Sequence, residues 1–266
     1  MSTHAAPVAR HPRPRLGGLV AAELVKLRCQ RALVWVAALT VVVPAGISLA
    51  MGHQDPAATG GEAAVAYLSL FAGYSVVPYV SAFMASSSVG AEFGSGVARV
   101  VYTAVPARWP ILVAKALVNV GVGAALAVLS LASAALVLLV GTPVPAEAWL
   151  WQPVTWTAVG GAVASCSALA LVGTAVGTLS RRVQGGVVIL VALLLLAPAL
   201  VGALATSVPL LGDLSKSLPM TAANALVADP SLGSSAVERW AAAGYLALWA
   251  GISMAWAAWS IRRADI

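Results

Sequence analysis

The chain has 266 residues, of which 61% are hydrophobic and only 9% are charged. A soluble globular domain usually carries about a quarter charged residues, so this composition, with a mean hydropathy of +0.93, predicts an integral membrane protein. The formal net charge of +6 is typical of the Lys and Arg excess on cytoplasmic loops. Because the basic residues are scattered between apolar stretches, we expect no nucleic-acid binding.

The N-terminal region divides into two parts. Residues 1–18 are basic and proline-rich without apolar periodicity, which predicts a disordered tail. From Leu19 to Arg31, apolar residues recur at helical spacing, which favours an amphipathic helix in the membrane interface. A plain basic stop before the first span remains the alternative. The polar residues of this helix, whose basic members can pair with lipid phosphates, are Glu23, Lys26, Arg28 and Arg31.

Six apolar stretches follow, each with the roughly 20 residues that cross about 30 Å of hydrocarbon. Backbone groups in lipid must be paired within the segment, so the stretches are expected to be helices. Their continuous hydrophobicity excludes the alternating strands of a barrel. The first stretch is long enough to span and lacks a cleavage pattern, so we interpret it as a retained helix rather than a signal peptide. The predicted spans are 32–51, 65–88, 111–140, 154–179, 187–208 and 240–261.

The fold class predicted is therefore all-α, a polytopic bundle in which residues 19–266 form a single membrane domain. With the N-terminus inside, thirteen Lys and Arg residues fall on the inner side and two on the outer side. This bias predicts a protein of the cell membrane with both termini in the cytoplasm.

Several kinds of chemistry have no support in the sequence. There is no phosphate-binding G-x-x-x-x-G-K-[ST] motif and no spacing of metal ligands, so we expect no cofactor and no metal on this chain. No acidic or basic residue lies in the middle of a span, whereas ion-coupled carriers usually need one there. If the protein transports a substrate, the energy is expected to come from a separate ATPase.

The polar and small residues within the spans allow two interpretations. Ser165, Ser167 and Thr174 in the fourth span either form hydrogen bonds, between helices or to the carbonyl four residues earlier in their own helix, or line a substrate path. The motif Gly173-x-x-x-Gly177 allows close helix approach, and we expect it to serve packing within one bundle rather than a dimer seam.

The segment from Glu92 to Lys115, between the second and third spans, gathers charge, glycine and proline. We interpret it as a surface that a soluble partner binds.

This segment resembles the corresponding one of six-span, actinobacterial ABC-2 type transporter permeases. Three other places are similar to that family: the stretch Glu23-Leu24-x-Lys26-Leu27 within the N-terminal helix, the segment Leu218-Pro219-x-x-Ala222, and the basic end Arg262-Arg263. Val97 departs from the family, which often has threonine there. The residues that carry the main resemblance are Glu92, Phe93, Gly96, Arg99, Pro106, Arg108 and Lys115.

The resemblance implies a permease that pairs with an identical or different second permease and with ATPase subunits, which would bind ATP and Mg²⁺. The ATPase would bind a coupling helix capped at Ser87 or Ser88 and containing Glu92, Phe93, Gly96 and Arg99. The substrate would be hydrophobic, such as a drug, lipid, peptide or natural product, and export would give resistance. The alternative is a non-transport membrane protein, such as an immunity or assembly factor, that acts by binding partners. A membrane enzyme is disfavoured because no reacting group is visible.

Overall fold

The computed structural model of the protein describes residues 16–97, 100, 109–205, 207–233 and 237–263. Within these ranges the secondary structure is helical, with short 3-10 turns and one π-helical turn. We number the helices α1 to α9. They are α1 (Leu16–Arg28), α2 (Arg31–Met51), α3 (Glu62–Gly94), α4 (Trp109–Gly141), α5 (Pro153–Ser180), α6 (Val183–Ala205), α7 (Pro209–Ser217), α8 (Pro219–Val227) and α9 (Arg239–Arg263).

Six of the described helices, α2 to α6 and α9, are long and apolar enough to cross a membrane. The predicted all-α bundle is confirmed, and the chain is a multi-pass membrane protein. The observed ends differ from the predicted ones by four residues or fewer, except that α3 continues from the predicted end at 88 to Gly94. The fourth and fifth spans are separated by a tight turn in which Arg181 has a φ of 52°.

The N-terminal helix begins earlier than predicted. Residues Leu16–Gly18, which we assigned to the disordered tail, form the first turn of α1. The last proline of the tail is Pro14, so no residue of α1 lacks the backbone donor that a helix needs. Residues 1–15 of the predicted tail lie outside the described residues.

Helix α5 is the centre of the bundle, and its neighbours approach it at glycines. A Cβ atom added to Gly173 would lie 2.1 Å from the carbonyl oxygen of Ala82 in α3, and one added to Gly177 would lie 2.5 Å from that of Ser86. The short helix α8 approaches Gly161 in the same way, through the carbonyl of Leu226. The prediction that the Gly173-x-x-x-Gly177 motif packs within the bundle is therefore confirmed.

The outer helices present apolar side chains to the surroundings. Of the most apolar stretch of each helix, only 11% of α6 and 17% of α2 is buried, against 56% of α5. Such a surface is compatible with contact to lipid, because lipid tails are as apolar as the side chains that face them.

Most basic side chains lie at one end of the bundle and most acidic side chains at the other. One end, here called the basic end, holds α1, the ends of α3, α5 and α9 and the beginnings of α4 and α6. An apolar cluster that includes Leu19, Phe93, Ile111 and Ile261 ties these segments together. The basic side chains of the basic end are Lys26, Arg28, Arg31, Lys115, Arg181, Arg182, Arg262 and Arg263. The opposite, acidic end carries Asp55, Glu62, Glu147, Asp213, Asp229 and Glu238.

The close packing at α5 gives a first prediction. Gly173→Ala places a methyl group against the backbone of α3, and we expect it to lower the free energy of unfolding by about 1–3 kcal/mol. Gly160→Ala is the matched control, because Gly160 lies in the same helix with no atom within 4 Å of the added Cβ. Thermal unfolding of the purified chain in detergent measures both. Equal midpoints for the two variants would contradict the packing.

Candidate functional site

Four charged side chains from three segments meet at the basic end of the bundle. Glu23 and Lys26 come from α1, Glu92 from the last turn of α3, and Lys115 from the second turn of α4. Lys26 Nζ lies 2.8 Å from Glu23 Oε1 and 3.1 Å from Glu92 Oε1. Lys115 Nζ lies 3.0 Å from Glu23 Oε1 and also donates to Glu92 Oε1. We call these four residues the charge cluster.

The charge cluster is electrically balanced and mostly withdrawn from solvent. The Lys115 side chain is only 5% exposed, and both glutamates are 14% exposed. Burial alone would lower the pKa of Lys26, but its hydrogen bonds to and charge attraction from Glu23 and Glu92 outweigh burial and raise that pKa. Lys26 therefore stays charged at neutral pH. The two lysines and the two glutamates compensate each other's charge, whereas burying any one of these charges without a partner would be strongly unfavourable.

Local sequence and packing explain why these side chains meet. Glu23 and Lys26 are three residues apart, so they lie on one face of α1. Leu19, one turn before Glu23, packs in the apolar cluster with Ile111 and Phe93. That packing brings the Glu23 face of α1 against the first turns of α4.

A second set of polar groups continues from the charge cluster into the bundle. A cavity of about 20 Å³ separates Glu92 and Lys115 from Ser88 and Asn119. This is about the space that one water molecule needs. The Asn119 amide nitrogen donates to Thr174 Oγ1 of α5 at 2.9 Å. Polar groups thus extend from the basic end to the central helix.

The predicted coupling residues have different positions. Glu92 belongs to the charge cluster, and Phe93 is half-buried against the apolar cluster. Gly96 is exposed with a φ of 76°, a left-handed conformation that favours glycine. Arg99 lies outside the described residues. The predicted cap at Ser87 or Ser88 is wrong, because α3 continues through both residues to Gly94.

The other predicted residues are not gathered into one site. Arg28 and Arg31 are exposed and are not among the ion pairs formed within the described ranges. The Ser165 hydroxyl contacts the Tyr74 hydroxyl, and the Ser167 hydroxyl donates to the carbonyl of Val163 in its own helix. Ser165 and Thr174 are fully buried. These contacts are the interhelical and intrahelical bonds that we weighed against a substrate path.

A larger space that the sequence did not indicate lies towards the acidic end. A cleft of about 810 Å³ is lined by the first half of α3, by α8 and by the segment after α8. Leu68 and Phe71 give it an apolar side, while the exposed Asn224 and Ser75 give it polar groups. In the sequence, the segment beginning at Leu218 was singled out only for its resemblance to a known family, and its residues Pro219–Val227 form α8.

Within the described ranges, no three His, Cys, Asp or Glu side chains come together in a way that could hold a metal ion. No family model matches the chain, and no curated protein matches its sequence. The charge cluster and the acidic-end cleft are the two candidate functional features of the described residues.

The charge cluster gives a second prediction. Lys115→Met keeps the length of the side chain but leaves Glu23 and Glu92 to share Lys26, and we expect a loss of about 3 kcal/mol in the free energy of unfolding. Lys216→Met is the matched control, since Lys216 forms an exposed ion pair with Asp213, and exposed pairs contribute little. Chemical unfolding in detergent measures both. The same small change in both variants would contradict a structural role for Lys115.

Proposed function

We propose that the chain is the membrane-spanning permease subunit of an ABC transporter of the ABC-2 type. It exports a hydrophobic substrate with ATP that a separate subunit hydrolyses. The observation that carries this proposal is the charge cluster. It links Glu92, the first residue of the segment that resembles a coupling helix, to the helices α1 and α4.

The surface for the ATPase is the exposed end of α3 and the residues that follow it. Ser95, Gly96 and Val97 are exposed at the basic end, which the excess of Lys and Arg assigns to the cytoplasm. Their side chains are small, so shape rather than specific side-chain pairing would govern docking. Helix α1 and the end of α9 lie at this same end, which supports the proposal that both termini are cytoplasmic.

Movement of the docked segment reaches the bundle through the charge cluster. A push on α3 displaces Glu92, and its ion pairs with Lys26 and Lys115 carry the displacement to α1 and α4. The bond from Asn119 to Thr174 extends the connection to α5, on which α3 and α8 pack. Because buried ion pairs are lost only at considerable cost, the segments move together rather than separate.

The acidic-end cleft supports export of an amphipathic or hydrophobic molecule. Its size of about 810 Å³ falls within the range of small-molecule sites, which are mostly apolar with a few polar groups. A second permease, identical or different, would complete the path across the membrane. ATP and Mg²⁺ would be bound by the ATPase and not by this chain.

Docking of the ATPase gives a third prediction. Val97→Asp puts a charge on the proposed docking surface, and we expect it to reduce the amount of co-purified ATPase about tenfold, because an unpaired charge in an interface is strongly unfavourable. Ala58→Asp is the matched control, since it adds the same charge to an exposed position at the acidic end. Co-expression with a candidate ATPase that carries a phosphate-binding loop and is encoded by a neighbouring gene, followed by affinity purification, measures the effect.

The same experiment separates the transporter from the alternative. If the wild-type chain purifies without an ATPase and supports no substrate-stimulated ATP hydrolysis, the transport proposal fails and a partner-binding immunity or assembly factor is favoured. If Val97→Asp and Ala58→Asp retain equal amounts of ATPase, the docking surface lies elsewhere.

Coupling through the charge cluster gives a fourth prediction. In the assembled complex, we expect Lys115→Met to leave ATPase association within about twofold of wild type, because Lys115 is buried and does not face the docking surface. The substrate exported per ATP hydrolysed should fall about tenfold, as expected when a group that positions moving parts is removed. Unchanged coupling in a correctly folded variant would show that the charge cluster serves stability alone.

A further inference from the structure

A groove runs between α1 and α4 on the outer surface of the bundle, beside the charge cluster. Its volume is about 390 Å³, and its lining is almost entirely apolar. Side chains of α1 form one wall and those of α4 the other. The lining residues are Val20, Leu24, Leu117, Val118, Gly121, Val122 and Ala125.

The groove is open to the surroundings of the bundle. Leu24 and Leu117 on its two walls are 49% and 51% exposed. At its floor, a Cβ added to Gly121 would meet no atom within 4 Å. Gly121 thus leaves free space against the α4 backbone, whereas Gly123, two residues on, is packed against the carbonyl of Cys166.

The position of the groove spans the boundary between headgroups and hydrocarbon. Helix α4 has 33 residues, which makes it about 50 Å long, and the hydrocarbon layer is about 30 Å thick. Its first turns, with the charged Lys115, therefore extend into the interface. From Leu117 to Ala125 the groove continues for about 12 Å along α4, in the direction of the hydrocarbon.

Positive charge that forms no ion pair with the described residues borders the interfacial end of the groove. Arg28 follows Leu24 by one helical turn, so it lies next to it on the same side of α1, and Arg31 begins α2 immediately afterwards. Both arginines are exposed. The acidic residues of this part of the structure, Glu23 and Glu92, are already bound by Lys26 and Lys115. An anionic group is therefore complementary to the charge of Arg28 and Arg31.

We propose that this groove binds an anionic phospholipid. One acyl chain lies between α1 and α4 over Gly121, and the phosphodiester binds Arg28 and Arg31. Guanidinium groups are well suited to phosphate oxygens because they donate in a planar fork, and the apolar walls bury the chain. This site is independent of the transport proposal, because it requires only that α1 rests at the membrane surface.

The test measures lipid retention by native mass spectrometry on the full chain purified in mild detergent. We expect the wild-type protein to retain phosphatidylglycerol about tenfold more than phosphatidylcholine. Arg28→Gln with Arg31→Gln should reduce retention of phosphatidylglycerol about tenfold, in line with the attraction of basic residues to anionic lipid. An excess of soluble glycerol phosphate should not displace the lipid, which separates a lipid headgroup from a free phosphate.

A groove-filling variant tests the acyl-chain half of the site. Gly121→Leu should reduce phosphatidylglycerol retention about fivefold or more by occupying the space of the chain. Gly160→Leu is the matched control, because Gly160 is equally open but lies on α5. Equal retention by these two variants, or equal retention of the two lipids by the wild type, would overturn the proposal. If Gly121→Leu fails to fold, the exposed arginine pair decides the question alone.

Discussion

The direct contact of helix backbones around α5 constrains the rest of the structure. At Gly173 and Gly177 the carbonyl groups of α3 occupy the space that any side chain would need. At Gly161 a carbonyl group of α8 occupies that space. Without a hydrophobic driving force between helices in lipid, such close approach is a main source of cohesion. Because α3 is packed along α5 over two turns, its last turn, which carries Glu92, has a defined position relative to the central helix. Helix α3 also approaches the outer helix α2 closely at one place, where Gly73 lies against the backbone of Pro44.

That restraint explains why Lys115 and both glutamates can be largely withdrawn from solvent at the basic end. A buried lysine is tolerated only with well-placed partners, and Lys115 obtains them because Glu92 arrives on a rigid helix and Glu23 on a helix anchored by Leu19. An ionisable residue within a spanning helix usually suggests an ion pathway. Here the charge is compensated within the charge cluster, which favours a role in joining segments over a role in moving ions.

The sequence predicted the helices well and the site only in part. Spans are set by the length of apolar stretch that crosses a bilayer, so their positions follow from the pattern of hydrophobic residues along the chain. Helix α3 exceeds its predicted end because Val89 and Gly90 are buried, Gly90 against the backbone of Arg182. Glu23, Lys26, Glu92 and Lys115 had each been singled out, but their pairing had not, since Glu23 and Lys115 are 92 residues apart and meet only through packing. The acidic-end cleft was missed because a cavity arises from the spacing of helices and leaves no pattern in the chain.

The two faces of α1 lead to a single consequence. One face carries Glu23 and Lys26 into the charge cluster, and the adjacent face carries Val20 and Leu24 into the groove along α4. The helix is therefore held by ion pairs on one side and by whatever fills the groove on the other. An acyl chain in the groove would fix the distance between α1 and α4 and thus the geometry in which Lys115 reaches both glutamates. Lipid occupancy and the integrity of the charge cluster are then linked, since each stabilises the arrangement of α1 on α4 that the other requires.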